Sequence, residues 1–94
     1  MKGGYVYIIT NKYRTVLYIG VTSDIRQRIY NHKEGNGSKF TAKYKCKYLV
    51  YYEWIPDIGF AIEREKQLKN WHRDWKFNLI RSVNPTMKDL YDEL

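Results

Sequence analysis

A chain of 94 residues that is 44% hydrophobic and 17% aromatic is too rich in core-forming side chains to be a disordered tail. It is long enough for one small-core domain over residues 1–94. Its single cysteine, Cys46, excludes an internal disulfide, and no Cys/His spacing resembles a zinc site. The net charge of +7 belongs to the body, because Thr86 to Leu94 set one lysine against Asp89, Asp92 and Glu93 as a short acidic tail, 86–94. A basic body with interleaved aromatics suits a polyanion such as nucleic acid, although a basic pI also serves solubility alone.

Met1-Lys2-Gly3-Gly4 leads into a strand without a signal h-region or transmembrane run, so a cytoplasmic setting without membrane contact is expected. Tyr5 to Thr10 alternates bulky and β-branched residues, as does Thr15 to Ile19, and Asn11-Lys12-Tyr13-Arg14 reads as their hairpin connection. Gly20 ends the second strand. Thr22, Ser23 and Asp24 offer N-cap side chains, and Asp24 with Gln27 has capping-box spacing. A helix is predicted over Ile25 to Lys33, stopping before Gly35-Asn36-Gly37.

Residues 33–47 form a loop or short helix with Lys33, Lys39, Lys43, Lys45 and Lys47 against Glu34 alone. Such a stretch is either a solvated connection or a surface that tracks phosphates. Cys46 to Trp54 is the third strand. Pro56-Asp57 opens a second helix, from about Ile58 to Trp71. A third helix covers about Asp74 to Ser82 and is stopped by Asn84-Pro85, and a short acidic turn or helix closes the chain. The element order is β-β-α-β-α-α, an α+β chain.

Two helix faces break the amphipathic pattern. At about 100° per residue, Ile58, Ala61, Ile62 and Leu68 cluster on one side of the second helix, and Glu65 is expected at its centre. A carboxylate among apolar neighbours needs a cationic partner or a metal ion. Glu63 points almost the opposite way. In the first helix Ile25 and Ile29 define the apolar face, His32 lies beside them and Arg28 borders it. Arg28 and His32 are i,i+4 neighbours whose heads can converge.

These positions resemble the GIY-YIG nuclease superfamily. The first motif stands as Tyr5-Val6-Tyr7 and the second as Tyr18-Ile19-Gly20, with Tyr5 replacing the first motif's Gly. Arg28 falls where the family arginine is expected, and His32 follows where many members carry a His or Tyr that helps activate water. Ala61-Ile62-Glu63-Arg64-Glu65 with Leu68-Lys69 looks like the helix bearing the family's metal-binding glutamate, here Glu65. Asn78 is similar to the asparagine that ends the motif set. The resemblance covers residues 5–78 and suits a small stand-alone subgroup. It implies a three-stranded antiparallel sheet with helices packed around it.

The resemblance further implies a divalent-metal-dependent endonuclease with one Mg²⁺ or Mn²⁺ on Glu65. Arg28 would stabilise charge on the phosphate, and Gly20 would allow close approach of backbone or substrate. The general base stays open among Tyr7, Tyr18 and His32, with a tyrosine favoured by the resemblance and His32 relaying its proton. Lys39, Lys43 and Lys45 would follow the nucleic-acid backbone. The expected substrate is DNA in preference to RNA, branched or single-stranded, and a protein partner would supply substrate choice. The alternatives are a non-catalytic nucleic-acid-binding module on the same fold and a protein-interaction domain.

Overall fold

In the computed structural model, which describes residues 2–94, three antiparallel strands lie in the order β2-β1-β3. They are β1 (Gly4–Thr10), β2 (Leu17–Thr22) and β3 (Tyr48–Ile55). The helices are α1 (Ile25–Lys33), α2 (Lys39–Lys43), α3 (Ile58–Lys69) and α4 (Arg73–Val83), with a final 3₁₀ turn at Tyr91–Glu93. The α+β architecture and element order follow the sequence reading, with α2 the short helix allowed for in the lysine-rich connection. Met1 lies outside the described residues. No described helix is long and apolar enough to cross a membrane.

The second strand is displaced from its expected place. It begins at Leu17 and runs through Gly20 to Thr22, so Gly20 is interior to it. The cause lies in the hairpin connection, where Asn11 Oδ1 accepts hydrogen bonds from the Thr15 and Val16 amides, at 2.8 and 3.0 Å. That holds both residues in the turn, which Arg14 completes with a φ of 57°. Asp24 caps α1, its carboxylate accepting from the Gln27 amide at 3.1 Å. Gln27 does not return the bond to close a capping box; its Nε2 donates to Asn31 instead.

Strand alternation sends the two faces of the sheet to two cores. Val6, Ile8 and Ile19 pack with Ala61 and Leu68 of α3, Ile80 of α4, and Met87. Tyr7, Ile9 and Leu49 pack with Ile25 and Ile29 of α1, Cys46 and Leu90. A bulge in β3 between the partners of Ile8 and Ile9 turns both Val50 and Tyr51 toward the α3 side.

The acidic tail is built into the fold. The Leu49 amide donates to Asp89 Oδ1 at 3.0 Å, and the Leu90 amide donates to the Leu49 carbonyl at 2.7 Å. Asp89 Oδ2 takes the Lys33 ammonium at 2.5 Å. Just before it, buried Asn84 donates from Nδ2 to the carbonyls of Val50 and Lys88, and its Oδ1 accepts from the Lys88 amide. These bonds strap the chain end along the outer edge of β3. Asp89→Ala leaves the buried Leu49 N–H without a partner and is expected to cost about 1–3 kcal/mol in urea denaturation. An unchanged midpoint would show that the strap adds no stability.

Candidate active site

Tyr7 stands in the middle of β1 directly opposite Gly20 of β2. A Cβ at Gly20 would fall inside the Tyr7 phenol, so the missing side chain is what lets that ring lie across β2. The room that Gly20 provides is thus filled by the protein's own side chain. Helix α1 packs over the same face through Ile25 and Ile29, and one turn further on it delivers His32 to the Tyr7 hydroxyl.

The Tyr7 oxygen is 2.9 Å from His32 Nε2 and accepts from Arg28 Nε at 3.3 Å. Tyr7 and His32 are each only 1% exposed, whereas Arg28 is half-buried. His32 Nδ1 is 3.0 Å from Thr41 Oγ1 of α2. All partners are satisfied when Tyr7 donates its O–H to Nε2 and Nδ1–H donates to Thr41, whose hydroxyl passes on to the Ser38 carbonyl at 3.3 Å. Ser38 caps α2 by accepting from the Thr41 amide at 3.1 Å. Gly37 is held to a hydrogen side chain by the imidazole, which occupies the space a Cβ would need.

Burial sets the protonation states. It pushes the Tyr7 phenol up to about 12, against the lowering pull of its Arg28 hydrogen bond and charge. Burial, aided by the Arg28 charge, pushes His32 down to about 4. The hydrogen bond with Tyr7 raises Arg28. Near neutrality the site therefore has a neutral phenol and a neutral imidazole beneath a fixed guanidinium.

Tyr18 flanks this pair, its ring 5.7 Å from His32 and 5.8 Å from Phe40 of α2. Glu65 comes from α3 on the other side of the sheet, near enough for its charge to oppose ionisation of Tyr7. Its side chain is 15% exposed and pairs with Lys69 at 3.4 Å. The expected position of Glu65 at the centre of the apolar face needs correction. Ala61 and Leu68 are fully buried while Ile62 is 39% exposed, so the buried stripe is centred on Ala61 and Leu68 and Glu65 borders it. That border position allows the carboxylate to face the cluster, while Glu63 is exposed.

The structure thus brings Tyr7, Tyr18, Gly20, Arg28, His32 and Glu65 together at the β2 side of the sheet. Lys39, Lys43 and Lys45 are exposed on and just after α2. Asn78 is elsewhere, exposed in a surface pocket with Arg14, Asp74, Phe77 and Arg81. The asparagine that this part of the chain buries is Asn84. Thr41, Ser38 and Gly37 were not singled out from the sequence. The Ser-x-x-Thr spacing of an N-cap was the available signal for the first two.

A metal site made wholly of protein ligands is absent among the described residues, where no group of three or more His, Cys, Asp or Glu could hold an ion. Asp24 is committed as a helix cap, and Glu53 to Arg64 at 2.6 Å and to the Tyr51 hydroxyl at 2.8 Å. Glu65 alone faces the cluster. A single carboxylate fits a hard ion such as Mg²⁺ that keeps waters and takes substrate phosphate oxygens.

The GIY-YIG catalytic domain model matches residues 3–78, and the chain belongs to the GIY-YIG family, a family of nucleases. Among its relatives, it is 37% identical to a UPF0213 protein of Staphylococcus saprophyticus over 85% of this chain and 96% of that one. A UPF0213 protein of Staphylococcus haemolyticus is 36% identical with the same coverage. The solution NMR structure of a UPF0213 protein from Bacillus halodurans is similar with a TM-score of 0.59 at 29% identity, covering 93% of this chain and 92% of that one.

Because His32 is neutral when folded down to about 4 but takes up a proton near 6.5 when unfolded, the unfolded chain binds more protons between these values. Its contribution is full above pH 6.5 and falls as pH drops toward 4, by up to about 3 kcal/mol. His32→Gln should flatten this part of the stability–pH curve measured by urea denaturation; an identical slope would contradict a buried neutral imidazole. Gly20→Ala should cost about 1–3 kcal/mol by forcing the Tyr7 ring aside. A stability equal to wild type would mean that the ring does not need that space.

Proposed function

We propose that this protein is a metal-assisted endonuclease that hydrolyses nucleic-acid phosphodiesters, DNA in preference to RNA. The observation that carries the reading is the Tyr7 hydroxyl, held between Arg28 and a neutral His32. A phenol with a positive charge on one side and a proton acceptor on the other is equipped for proton transfer, beyond the packing its ring provides to the α1-side core.

Tyr7 is the hydroxyl whose proton has a built destination. It can take a proton from an attacking water as its own O–H passes to His32 Nε2, while Thr41 fixes the imidazole through Nδ1. With Tyr7 pushed up to about 12, the phenolate is not formed in advance; loss of the Tyr7 proton is coupled to the chemistry. Arg28 is placed to reach a non-bridging phosphate oxygen and to stabilise the charge that grows there. Tyr18 is half-buried at the mouth of the cluster and orients the water or the phosphate. Glu65 would hold one Mg²⁺ or Mn²⁺, which when bound supplies Lewis-acid stabilisation of the phosphate and of the leaving oxygen. Lys39, Lys43 and Lys45 add a cationic border that follows the backbone without reading bases.

A non-catalytic binding module is favoured by one observation, the Lys69 ammonium already resting on Glu65. A cleavage panel of single-stranded, duplex and branched DNA and of RNA, in Mg²⁺, Mn²⁺ or EDTA, separates the two readings. Metal-dependent cutting should fall to background in Glu65→Gln and survive in Glu63→Gln. Arg28→Ala should lower the single-turnover rate by about 10²–10³. Cutting that persists in Glu65→Gln would remove the metal role, and no cutting on any substrate would leave the binding module.

A further inference from the structure

Helix α2 turns one residue inward and the rest outward. Thr41 is buried against His32, while Phe40 and Tyr44 are 43% and 42% exposed. Being i and i+4, these two rings share a face of the helix, with centroids 4.7 Å apart. Phe40 lies in turn 5.8 Å from Tyr18 of the second motif. Three aromatic rings thus run in a continuous line from the hydroxyl cluster out to solvent.

The line is bordered by cations on both sides. Lys39, Lys43 and Lys45 are exposed on and beside α2, with Lys43 Nζ 5.3 Å from the Tyr44 ring centre. Across the groove, Leu17, Tyr18, Ile19 and Phe40 are faced by Lys69 of α3 and Lys76 of α4. Thr41 is the one buried residue of α2, so the half-exposed rings are not needed to fill the core. Exposed rings set between lysines present π-faces next to positive charge, the combination that binds unpaired nucleotides.

We propose that Tyr18, Phe40 and Tyr44 form a base-stacking track for single-stranded nucleic acid that feeds the strand into the Tyr7–Arg28–Glu65 cluster. The proposal rests on the nuclease reading for what happens at the end of the track, but binding to the track does not depend on cleavage. In a duplex the base faces are covered by their neighbours, so the track selects unpaired segments such as flaps, gaps and junction arms. Tyr18 links the two functions, since its ring closes the track while its hydroxyl belongs to the cluster. The rings tilt by 30° and 47° at centroid separations of 5.8 and 4.7 Å, so a base would stack on their solvent-facing sides and not between them. Stacking on π-faces beside lysines is tolerant of base identity, so the preference is for strandedness and not sequence.

The test is fluorescence anisotropy of the full chain in EDTA at fixed salt, with a labelled strand of roughly twelve thymidines, its RNA counterpart, a hairpin duplex, and an abasic strand of equal length. The Phe40→Ala/Tyr44→Ala variant should bind the thymidine or uridine strand about tenfold or more weakly and the abasic strand as wild type does. Phe40→Trp should retain tight binding. Tyr13→Ala, which removes an exposed ring of the β1–β2 hairpin that is not part of the Tyr18–Phe40–Tyr44 line, should change nothing, and urea midpoints confirm that each variant is folded. Unchanged affinity in the double variant, or wild type binding the abasic strand as tightly as the thymidine strand, overturns the track. Cutting together with unchanged single-strand affinity sinks the track and leaves the nuclease reading. Weakened single-strand binding in a protein that never cuts sinks the nuclease reading and leaves the track.

Discussion

The Tyr7 phenol cannot lie where it does unless three other parts of the chain give way or close in. Gly20 must lack a side chain, because the ring crosses β2 directly above it. Helix α1 must run in register so that His32 and Arg28 arrive at one oxygen from two sides. Helix α2 must be short and capped at Ser38, so that Thr41 meets the far nitrogen of the imidazole and Gly37 leaves room for its ring. Tyr7 is buried and neutral, and each of its neighbours is fixed by a bond that the others require. Such a network fixes the phenol, the imidazole and the guanidinium in one geometry, the preorganisation that the proposed chemistry would use.

The site also joins two halves of the molecule that otherwise have separate cores. Tyr7, His32 and Thr41 belong to the α1 side of the sheet, whereas Glu65 and Lys69 come from α3 on the opposite side. They meet around β2, which is an edge strand of the sheet. In the nuclease reading proposed above, substrate at the cluster would touch both layers, and the alignment of α3 on the sheet would bear on the chemistry.

What could be read in the sequence followed from periodicity. His32 and Arg28 stood out because a helix of nine residues with Ile25 and Ile29 inward must carry them to the same side, and the structure has them there. The strand-helix order was legible for the same reason. Glu65 was found on the right helix and misplaced within its face, because Ile62 was counted as buried on hydropathy alone when it is on the exposed flank. The role of Gly20 was out of reach, since it depends on cross-strand register with Tyr7, which single-strand patterns do not give. The start of β2 was misread because Asn11 captures two amides through its side chain, a local bond that competes with strand pairing. Asn78 lies on the open face of α4, whereas Asn84 is the C-cap of that helix before Pro85 and is buried beneath the strap, a placement that depends on tertiary contacts.

The strap itself has a consequence for how copies of this chain can meet. A three-stranded sheet has two edges, and head-to-tail pairing into a growing ladder needs both of them free in every molecule. On the outer edge of β3 the Leu49 amide already donates to Asp89, and the Leu49 and Val50 carbonyls already accept from Leu90 and Asn84. A strand arriving at this end of β3 meets groups already bonded, so a ladder growing through Leu49 and Val50 is blocked. Residues 84–90 therefore act as a local stopper near the start of β3, on the edge of the sheet opposite β2.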